Sequence, residues 1–311
     1  MRYRRVVLAS RTADEVVDLV GSVLADDVVG AEHLPTGFGN ENWRLTLSSG
    51  ARCVAKFGPL SSEAKWRSAQ EAQRLAGAAG VPVARLVHFE CFADSLLRVF
   101  EWVDGIAPAE IESTGAEAAR FFSDLGRAVG ALHSVEIHEF GSRLDGSAPS
   151  FRRWADYVDH RLRQIRARCR ATDAFSDGDL DRICEAIQRR ADLVSDAARP
   201  ALCHRDLHGD NLLVGEDGGL AAMLDFDQAE RWDSAADWCK LDWMVFPAFP
   251  TVCRESFAAA YRSMHPDAEL WEERQTGVDL IEAFNGVPNA IAQRWGDFES
   301  VCRSRLAPLL S

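Results

Sequence analysis

The sequence has little lysine and an excess of acidic residues. Only three of its 35 basic residues are lysines, and 48 aspartates and glutamates give the 311-residue chain a formal net charge of -13. Such a chain is poorly suited to sequence-independent binding of nucleic acid, which depends on positive charge that neutralises phosphates. We therefore expect no nucleic-acid partner, and each lysine becomes a candidate for a specific role: Lys56, Lys65 and Lys240.

Cysteine pairs and long apolar runs are also missing. None of the eight cysteines forms a C-x-x-C pair, so neither a zinc site nor a thioredoxin-type redox site is predicted. The apolar run after the basic N-terminus covers only residues 6–9, which is too short for a signal peptide. No run approaches the roughly 18 residues of a membrane helix. We expect a cytoplasmic protein with no membrane association, either a monomer or a homodimer.

The N-terminal third of the chain has the alternation and the turn residues of a small β-sheet. Strands are predicted at 28–34, 42–47, 52–57, 85–91 and 95–103, and one helix, from about Ser61 to Ala79, follows the third strand. After Gly105 the apolar spacing is helical at 116–133, 151–170 and 180–197. A non-helical island at about 201–230 holds two short strands, 212–214 and 222–224. We predict an α+β chain with an antiparallel N-terminal lobe, 1–102, and a mainly helical C-terminal lobe, 103–311.

The strongest chemical signal lies in that island, in the segment His204-Arg205-Asp206-Leu207-His208-Gly209-Asp210-Asn211. Asp206 is placed to accept a proton from a hydroxyl, and Asn211, five residues later, supplies a neutral oxygen. Asp225 ends an apolar run 14 residues further on and supplies an anionic oxygen. An amide and a carboxylate, completed by water and phosphate oxygens, are typical ligands of Mg²⁺, and kinases use this order and spacing. The alternative is a turn in which these side chains only cap the backbone.

The second signal is Lys56, which ends the apolar strand Val54-Ala55-Lys56 in the manner of the phosphate-binding lysine of kinases. An ordinary edge-strand lysine is the alternative. Such a lysine needs an acidic partner on the following helix, and we predict Glu71. The rival is Glu63, although an acid in the first helical turn serves the helix dipole. Glu71 itself has two alternative partners on the helix surface, Arg67 four residues before it and Arg74 three residues after it.

A glycine-containing turn, Gly37-Phe38-Gly39, precedes the Lys56 strand. Its backbone N–H groups are candidates for binding phosphate oxygens. The turn lacks the third glycine of G-x-G-x-x-G and is not a P-loop, so a simple hairpin turn is the alternative.

Taken in order along most of the chain, these motifs resemble the aminoglycoside phosphotransferase and choline kinase family, small-molecule kinases with a protein-kinase-like fold. The resemblance implies that Lys56, paired with Glu71, holds the α- and β-phosphates of ATP or GTP. It also implies that the connector Phe100-Glu101-Trp102-Val103-Asp104-Gly105 receives the base through the backbone of Glu101 and Val103.

The same resemblance implies roles in the C-terminal lobe. Asp206 would orient and deprotonate the acceptor hydroxyl, and Asn211 and Asp225 would hold Mg²⁺. Asp237 would cap backbone N–H groups and support the catalytic loop. The loop histidines, His204 among them, are expected to fix the loop by hydrogen bonds and not to bind metal.

Two residues depart from the family pattern. Arg205 stands where the family commonly has glycine, and we expect it to pair with a nearby acid or to cap a carbonyl. Asp227 replaces the glycine of Asp-Phe-Gly and is a candidate to assist the metal. Only 11 residues separate Asp225 from Asp237, with no Ala-Pro-Glu after them, which disfavours a protein kinase because no room is left for an activation loop.

The acceptor should bind in the helical lobe. Residues 267–299 contain eight acids and only two arginines, which predicts either an acidic wall for a cationic acceptor or a solvated helix face. Three tryptophans are candidates for stacking on a sugar or base, or for ordinary core positions: Trp243, Trp271 and Trp295. We therefore predict a kinase that phosphorylates a hydroxyl of a small molecule, with an antibiotic as the leading candidate. The alternatives are a metabolic kinase of a choline, homoserine or sugar type, and a nucleotide-binding pseudokinase or regulator.

Overall fold

The N-terminal part of the protein, seen in a computed structural model, is an antiparallel sheet of five strands. The structure describes residues 11–35, 40–111, 115–265 and 270–310, with only the backbone at 116 and 117. The strands are β1 (Val28–Leu34), β2 (Glu41–Leu47), β3 (Arg52–Gly58), β4 (Leu86–Cys91) and β5 (Leu96–Glu101). Their spatial order is β1-β2-β3-β5-β4, so β3 lies in the centre.

The register of β3 against β5 decides which side chains share a face. Ala55 pairs with Val99, and Lys56 pairs with Arg98. Because successive side chains of a strand point to opposite faces, the apolar pair and the cationic pair lie on opposite faces of the sheet. The apolar face is covered by helix α1 (Ala13–Gly21), which buries Val16 and Val20 against it.

No helix is predicted before the first strand, so α1 is an addition to the predicted fold. Its sequence signal is a capping box, in which Glu15 N–H donates to the Thr12 hydroxyl while the Glu15 carboxylate accepts from Thr12 N–H. The predicted helix after the third strand is present as α2 (Glu63–Ala78) and covers the cationic face of the sheet.

The rest of the chain is mainly helical, with short strands around the island that carries the strongest motif. The helices are α3 (Gly115–His133), α4 (Trp154–Ala171), α5 (Asp177–Val194), α6 (Ala235–Lys240), α7 (Thr251–Met264), α8 (Trp271–Gln293) and α9 (Gly296–Leu306). The strands are β6 (Phe140–Gly141), β7 (Ser150–Phe151), β8 (Pro200–Cys203), β9 (Leu212–Val214), β10 (Leu220–Met223) and β11 (Glu230–Asp233). Helices α3 and α7 approach closely at Gly126, where an added Cβ would overlap the carbonyl oxygen of Phe257. In the described ranges, none of the helices combines the length and apolar character needed to cross a membrane.

The hairpin of β9 and β10 ties the island to the N-terminal part. Met223 N–H donates to the Pro82 carbonyl (2.8 Å), and Ile106 N–H donates to the Val214 carbonyl (3.0 Å). These bonds join the segment before Asp225 to the residues that precede β4 and follow β5.

Candidate active site

The loop that follows β8 is held by Asp237, which lies in the first turn of α6 and is fully buried. Its carboxylate accepts the backbone N–H groups of His204 (2.9 Å) and Arg205 (2.5 Å) and faces Nε2 of His133 at 2.9 Å. Burial alone would raise the pKa of Asp237, but the hydrogen bond and charge of His133 lower it below its usual value. Asp237 thus remains an anion that fixes two consecutive N–H groups, as a loop support must.

His204 links this loop to the turn at Asp225. Its Nε2 lies 2.8 Å from the Leu224 carbonyl oxygen, and its Nδ1 accepts the Asp206 N–H at 3.3 Å. These partners assign the proton to Nε2. Both ring nitrogens are therefore used within the protein, which suits a structural role and leaves none for a metal.

Asp206 faces a cavity and has a histidine and a lysine as neighbours. Its Oδ2 is 3.6 Å from Nε2 of His208, and its Oδ1 is 4.0 Å from Nζ of Lys240. Burial alone would raise the pKa of Asp206, but His208 and Lys240 outweigh it and hold this pKa well below its usual value. Asp206 is thus ionised at neutral pH. Sequence reasoning gave Lys240 no role; its position one turn after Asp237 on α6 was the available signal.

Lys56 lies beside two carboxylates of the Asp225 turn. Its Nζ is 2.9 Å from Oδ1 of Asp225 and 2.9 Å from Oδ2 of Asp227, and the side chain is 9% exposed. Asp227 also receives Nη2 of Arg98 at 2.5 Å. The charges of Lys56 and Arg98 overcome burial and hold the pKa of Asp227 well below its usual range. Asp227 is therefore a buried anion shared by two cations.

This arrangement corrects one prediction. Glu71 does not pair with Lys56: its carboxylate is bonded to Arg74 at 2.7 and 2.8 Å and is 38% exposed, the helix-surface alternative. The hydrogen bond from Arg74 is also the main cause of the lowered pKa of Glu71. Asp227, a candidate to assist the metal, contacts Lys56 and Arg98.

Asn211 and Asp225 fit the requirements of a magnesium site. Asn211 donates from Nδ2 to the Asp206 carbonyl at 2.9 Å, which leaves Oδ1 as its acceptor atom. Asp225 adopts a left-handed conformation (φ 59°) and uses Oδ1 for Lys56, while its side chain stays 40% exposed. Within the described residues neither Asn211 Oδ1 nor Asp225 Oδ2 has a partner, so two oxygens of the type that Mg²⁺ prefers remain available.

The predicted base-binding residues lie at the end of β5 and just after it. Glu101 ends β5, and its N–H already donates to the Arg85 carbonyl (2.9 Å). Val103 follows in the connector, and its backbone makes no hydrogen bond within the described part of the chain, so its N–H and carbonyl are free for a base. Gly37 and Gly39 lie outside the described residues.

A cavity of about 590 Å³ opens over Asp206 and is lined mostly by the C-terminal lobe. The predicted acidic wall does not form there. Among the described acids of 267–299 only Glu282 lines the cavity, and it is paired with Arg205; Asp279 and Glu299 are paired with Arg305 and Arg303, and the others are exposed. Residues 267 and 269 are outside the described part.

Of the three candidate tryptophans, only Trp295 lines the cavity. Trp243 donates from Nε1 to Asp279 at 2.5 Å, and Trp271 packs edge-on against Trp238 at 5.6 Å between ring centroids. These two are core positions, which was the alternative interpretation.

Comparison with known proteins assigns the chain to a class. The sequence model of the phosphotransferase enzyme family matches residues 30–274, and the chain therefore belongs to that family. It is a small-molecule kinase with the two-lobed kinase-like fold, which confirms the predicted family, fold class and enzyme class. No curated protein gives a significant sequence match.

Three solved structures show what the fold is similar to. A thermostable mutant of the aminoglycoside phosphotransferase APH(4)-Ia, solved with ADP and hygromycin B, has a TM-score of 0.70 at 13% identity, covering 95% of this chain and 97% of that one. A protein assigned as a fructosamine-3-kinase from Thermobifida fusca has a TM-score of 0.70 at 21% identity, covering 95% and 100%. Spectinomycin phosphotransferase APH(9)-Ia, solved with ADP and spectinomycin, has a TM-score of 0.63 at 13% identity, covering 97% and 93%. At such identities the likeness concerns the fold and leaves the acceptor open.

Proposed function

We propose that this kinase transfers the γ-phosphoryl group of ATP or GTP to a hydroxyl of a small acceptor bound over Asp206. The N-terminal lobe, residues 1–102, binds the nucleotide, with Lys56 facing the phosphates and Val103 and Glu101 near the base. The C-terminal lobe, residues 103–311, binds the acceptor. Related structures solved with ADP and hygromycin B, and with ADP and spectinomycin, support a nucleotide and a small molecule as the two substrates.

The proposal rests on the position of Asp206 between the cavity and the candidate magnesium ligands. On one side it faces the cavity, and on the other its backbone carbonyl is bonded to Asn211, whose oxygen is free beside the Asp225 turn. Asn211 and Asp225 would hold Mg²⁺, which when bound neutralises negative charge on the phosphates. The transition state of phosphoryl transfer asks mainly for positioning and charge neutralisation.

The lowered pKa of Asp206 defines how it acts. A carboxylate that is ionised at neutral pH is a strong hydrogen-bond acceptor and a weak base. Asp206 therefore orients the acceptor hydroxyl by accepting its hydrogen bond and takes the proton late in the transfer, when the attacking oxygen has lost most of its basicity. His208 and Lys240 hold the carboxylate in its charged form in the meantime.

The test is Asp206→Ala, with the exposed Asp217→Ala as the matched control. We expect kcat for phosphoryl transfer to fall by at least about 100-fold in Asp206→Ala, while ADP binding, measured by titration calorimetry, stays within a few-fold of wild type. Asp217→Ala should retain both. Turnover of Asp206→Ala close to wild type would refute the assignment.

An antibiotic remains the leading acceptor class, because two of the structural relatives are solved with hygromycin B and spectinomycin. A metabolic kinase is the second candidate, which the fructosamine-3-kinase-like neighbour favours. A pseudokinase would be expected to lack one of the four central residues, and all four are present: Lys56, Asp206, Asn211 and Asp225.

A further inference from the structure

The cavity wall beside Asp206 contains more positive than negative charge. Arg161 and Arg168 of α4 line it together with Arg205 of the catalytic loop. Two carboxylates face these guanidiniums. Arg205 is bonded to both Glu230 and Glu282, and Arg161 lies 3.8 Å from Glu230. Three cations against two anions leave this group of residues with an excess of one positive charge.

The excess charge is located at Arg168. Its Nη2 donates to the side-chain oxygen of Asn285, a neutral group, and its buried Nε has no hydrogen-bond partner in the described ranges. No carboxylate among those residues lies within ion-pair distance of it. Burial, together with the charge of Arg161, lowers the pKa of Arg168, as expected for a cation that lacks a counter-ion.

Other arginines of α4 show that this is specific to the cavity side. Arg163 pairs with Asp159, and Arg170 pairs with Asp177 at 2.8 Å; both side chains are more than half exposed. Buried cations are ordinarily paired. A half-buried arginine without an acid, on the wall of a substrate cavity, therefore indicates that the acid is supplied by a ligand.

Arg168 and Asp206 line the same cavity, which suits a bifunctional acceptor. Glu282 and Asn285 are three residues apart on α8, so the groups that hold Arg205 and Arg168 are neighbours on one helix face, about 5–6 Å apart. Arg205 directly precedes Asp206. A single acceptor in this cavity can therefore place an anionic group at Arg168 and a hydroxyl at Asp206.

We propose that the acceptor carries an anionic group, a carboxylate or a phosphate, and that Arg168, assisted by Arg161, binds it while Asp206 orients the hydroxyl. The inference rests on the proposed kinase function and specifies its substrate class. It also replaces the expectation of a cationic acceptor and favours the metabolic candidate over a cationic antibiotic, because a cation would meet the guanidinium of Arg168.

The test compares acceptors that differ in charge. The panel is D-glycerate against glycerol, D-gluconate against D-glucitol, glucose 6-phosphate against glucose, and glucosamine and kanamycin as cations. Binding is measured by calorimetry without nucleotide, and turnover is measured with ATP and Mg²⁺. We expect Arg168-dependent binding of at least one anion, and the carboxylate and phosphate arms identify which group it is.

The variants are Arg168→Gln, Arg168→Lys and, as the matched control on the same helix, Arg163→Gln. Loss of one charge-assisted hydrogen bond should weaken binding of the anion, and raise its KM, about 10- to 100-fold in Arg168→Gln, with kcat and the neutral partner little changed. Arg168→Lys should recover part of the loss, and Arg163→Gln should behave as wild type.

The proposal is overturned if no anion of the panel shows Arg168-dependent binding, or if Arg168→Gln affects neutral and anionic compounds alike, as a structural role would. Phosphorylation of the cationic compounds alone would support the kinase function and refute the anion site at Arg168. Arg168-dependent binding of an anion, with no phosphoryl transfer to any compound, would keep the site and count against the kinase proposal.

Discussion

The substitution Asp227→Asn removes the one charge that two buried cations share. Oδ2 of Asp227 is 2.9 Å from Nζ of Lys56, and Oδ1 is 2.5 Å from Nη2 of Arg98. Lys56 retains Asp225 as a partner in the variant. Arg98 is only 2% exposed and is left with the face of Trp66, 4.0 Å from its guanidinium carbon, and no carboxylate among the described residues.

The expected loss of stability follows from the different partners that Lys56 and Arg98 retain. Removing one partner of a buried ion pair costs about 3–5 kcal/mol, because the remaining charge stays desolvated and uncompensated. We expect a loss of that size for Asp227→Asn. In the double variant Arg98→Met/Asp227→Asn both charges are absent, so much of the loss should be recovered. The exposed pair of Asp217 with Arg120 provides the control, and Asp217→Asn should change stability little.

The measurement is the free energy of unfolding from urea titrations, followed by far-UV circular dichroism and by tryptophan fluorescence. Both probes are needed because a two-lobed protein can unfold in more than one step. Asp227→Asn within about 1 kcal/mol of wild type would refute the reasoning, since that is the range of exposed pairs. A double variant as unstable as the single one would also refute it, because the unpaired Arg98 would then not be the cause.

Two further predictions concern residues around the same centre. Lys56→Met should weaken ADP binding at least about 10-fold. Glu71→Gln should leave ADP binding within about two-fold of wild type, because Glu71 is bonded to Arg74. Calorimetry measures both affinities, and equal losses in the two variants would contradict the structure. Burial alone would lower the pKa of His208, but Asp206 raises it above the ordinary value of 6.5. The protonated His208 therefore stabilises the folded protein below pH 6.5. This stabilisation is lost as the pH rises through the raised pKa. The gap in free energy of unfolding between wild type and His208→Gln should therefore be larger at low pH than in alkaline solution, and a gap that is independent of pH would contradict this.

The sheet and most helices could be predicted because their signals are local. The predicted strand at 28–34 has the bounds of β1, and the predicted 212–214 has those of β9. Alternation, turn residues and glycine or proline stops are enough for such elements. Helix α1 was accessible through the Thr12–Glu15 capping box, a short signal in a segment without a long apolar stripe.

The partners of Lys56 could not be predicted in the same way, because they depend on how two distant segments meet. Helix α2 turns Glu71 towards Arg74, and this rotation is set by packing and not by sequence spacing. Arg98 did carry a signal: a charged residue inside the buried run 96–100 needs a counter-ion. Asp227, two residues after Asp225, was the acid that could provide it.

Charge counted along the sequence misjudged the acceptor site for a related reason. The acids of α8 and α9 are numerous, but a helix distributes its side chains around the whole axis, and Asp279 and Glu299 meet arginines of α9. The cavity over Asp206 instead receives two arginines from α4, whose five arginines look like a solvated face in the sequence. Only their individual partners distinguish Arg168 from the rest.

The net charge of -13 and the local cations act on an approaching anion at different distances. A nucleotide or an anionic acceptor that approaches the protein is repelled by the overall charge, but salt screens that repulsion beyond roughly 8 Å at physiological ionic strength. Inside the cavity screening is weak, and the nearest groups decide the sign of the field. Most arginines there and on the surface are neutralised by acids of the protein. Cations that line the cavity, Lys240 at Asp206 and Arg168 at the wall among them, therefore favour an anion beside Asp206.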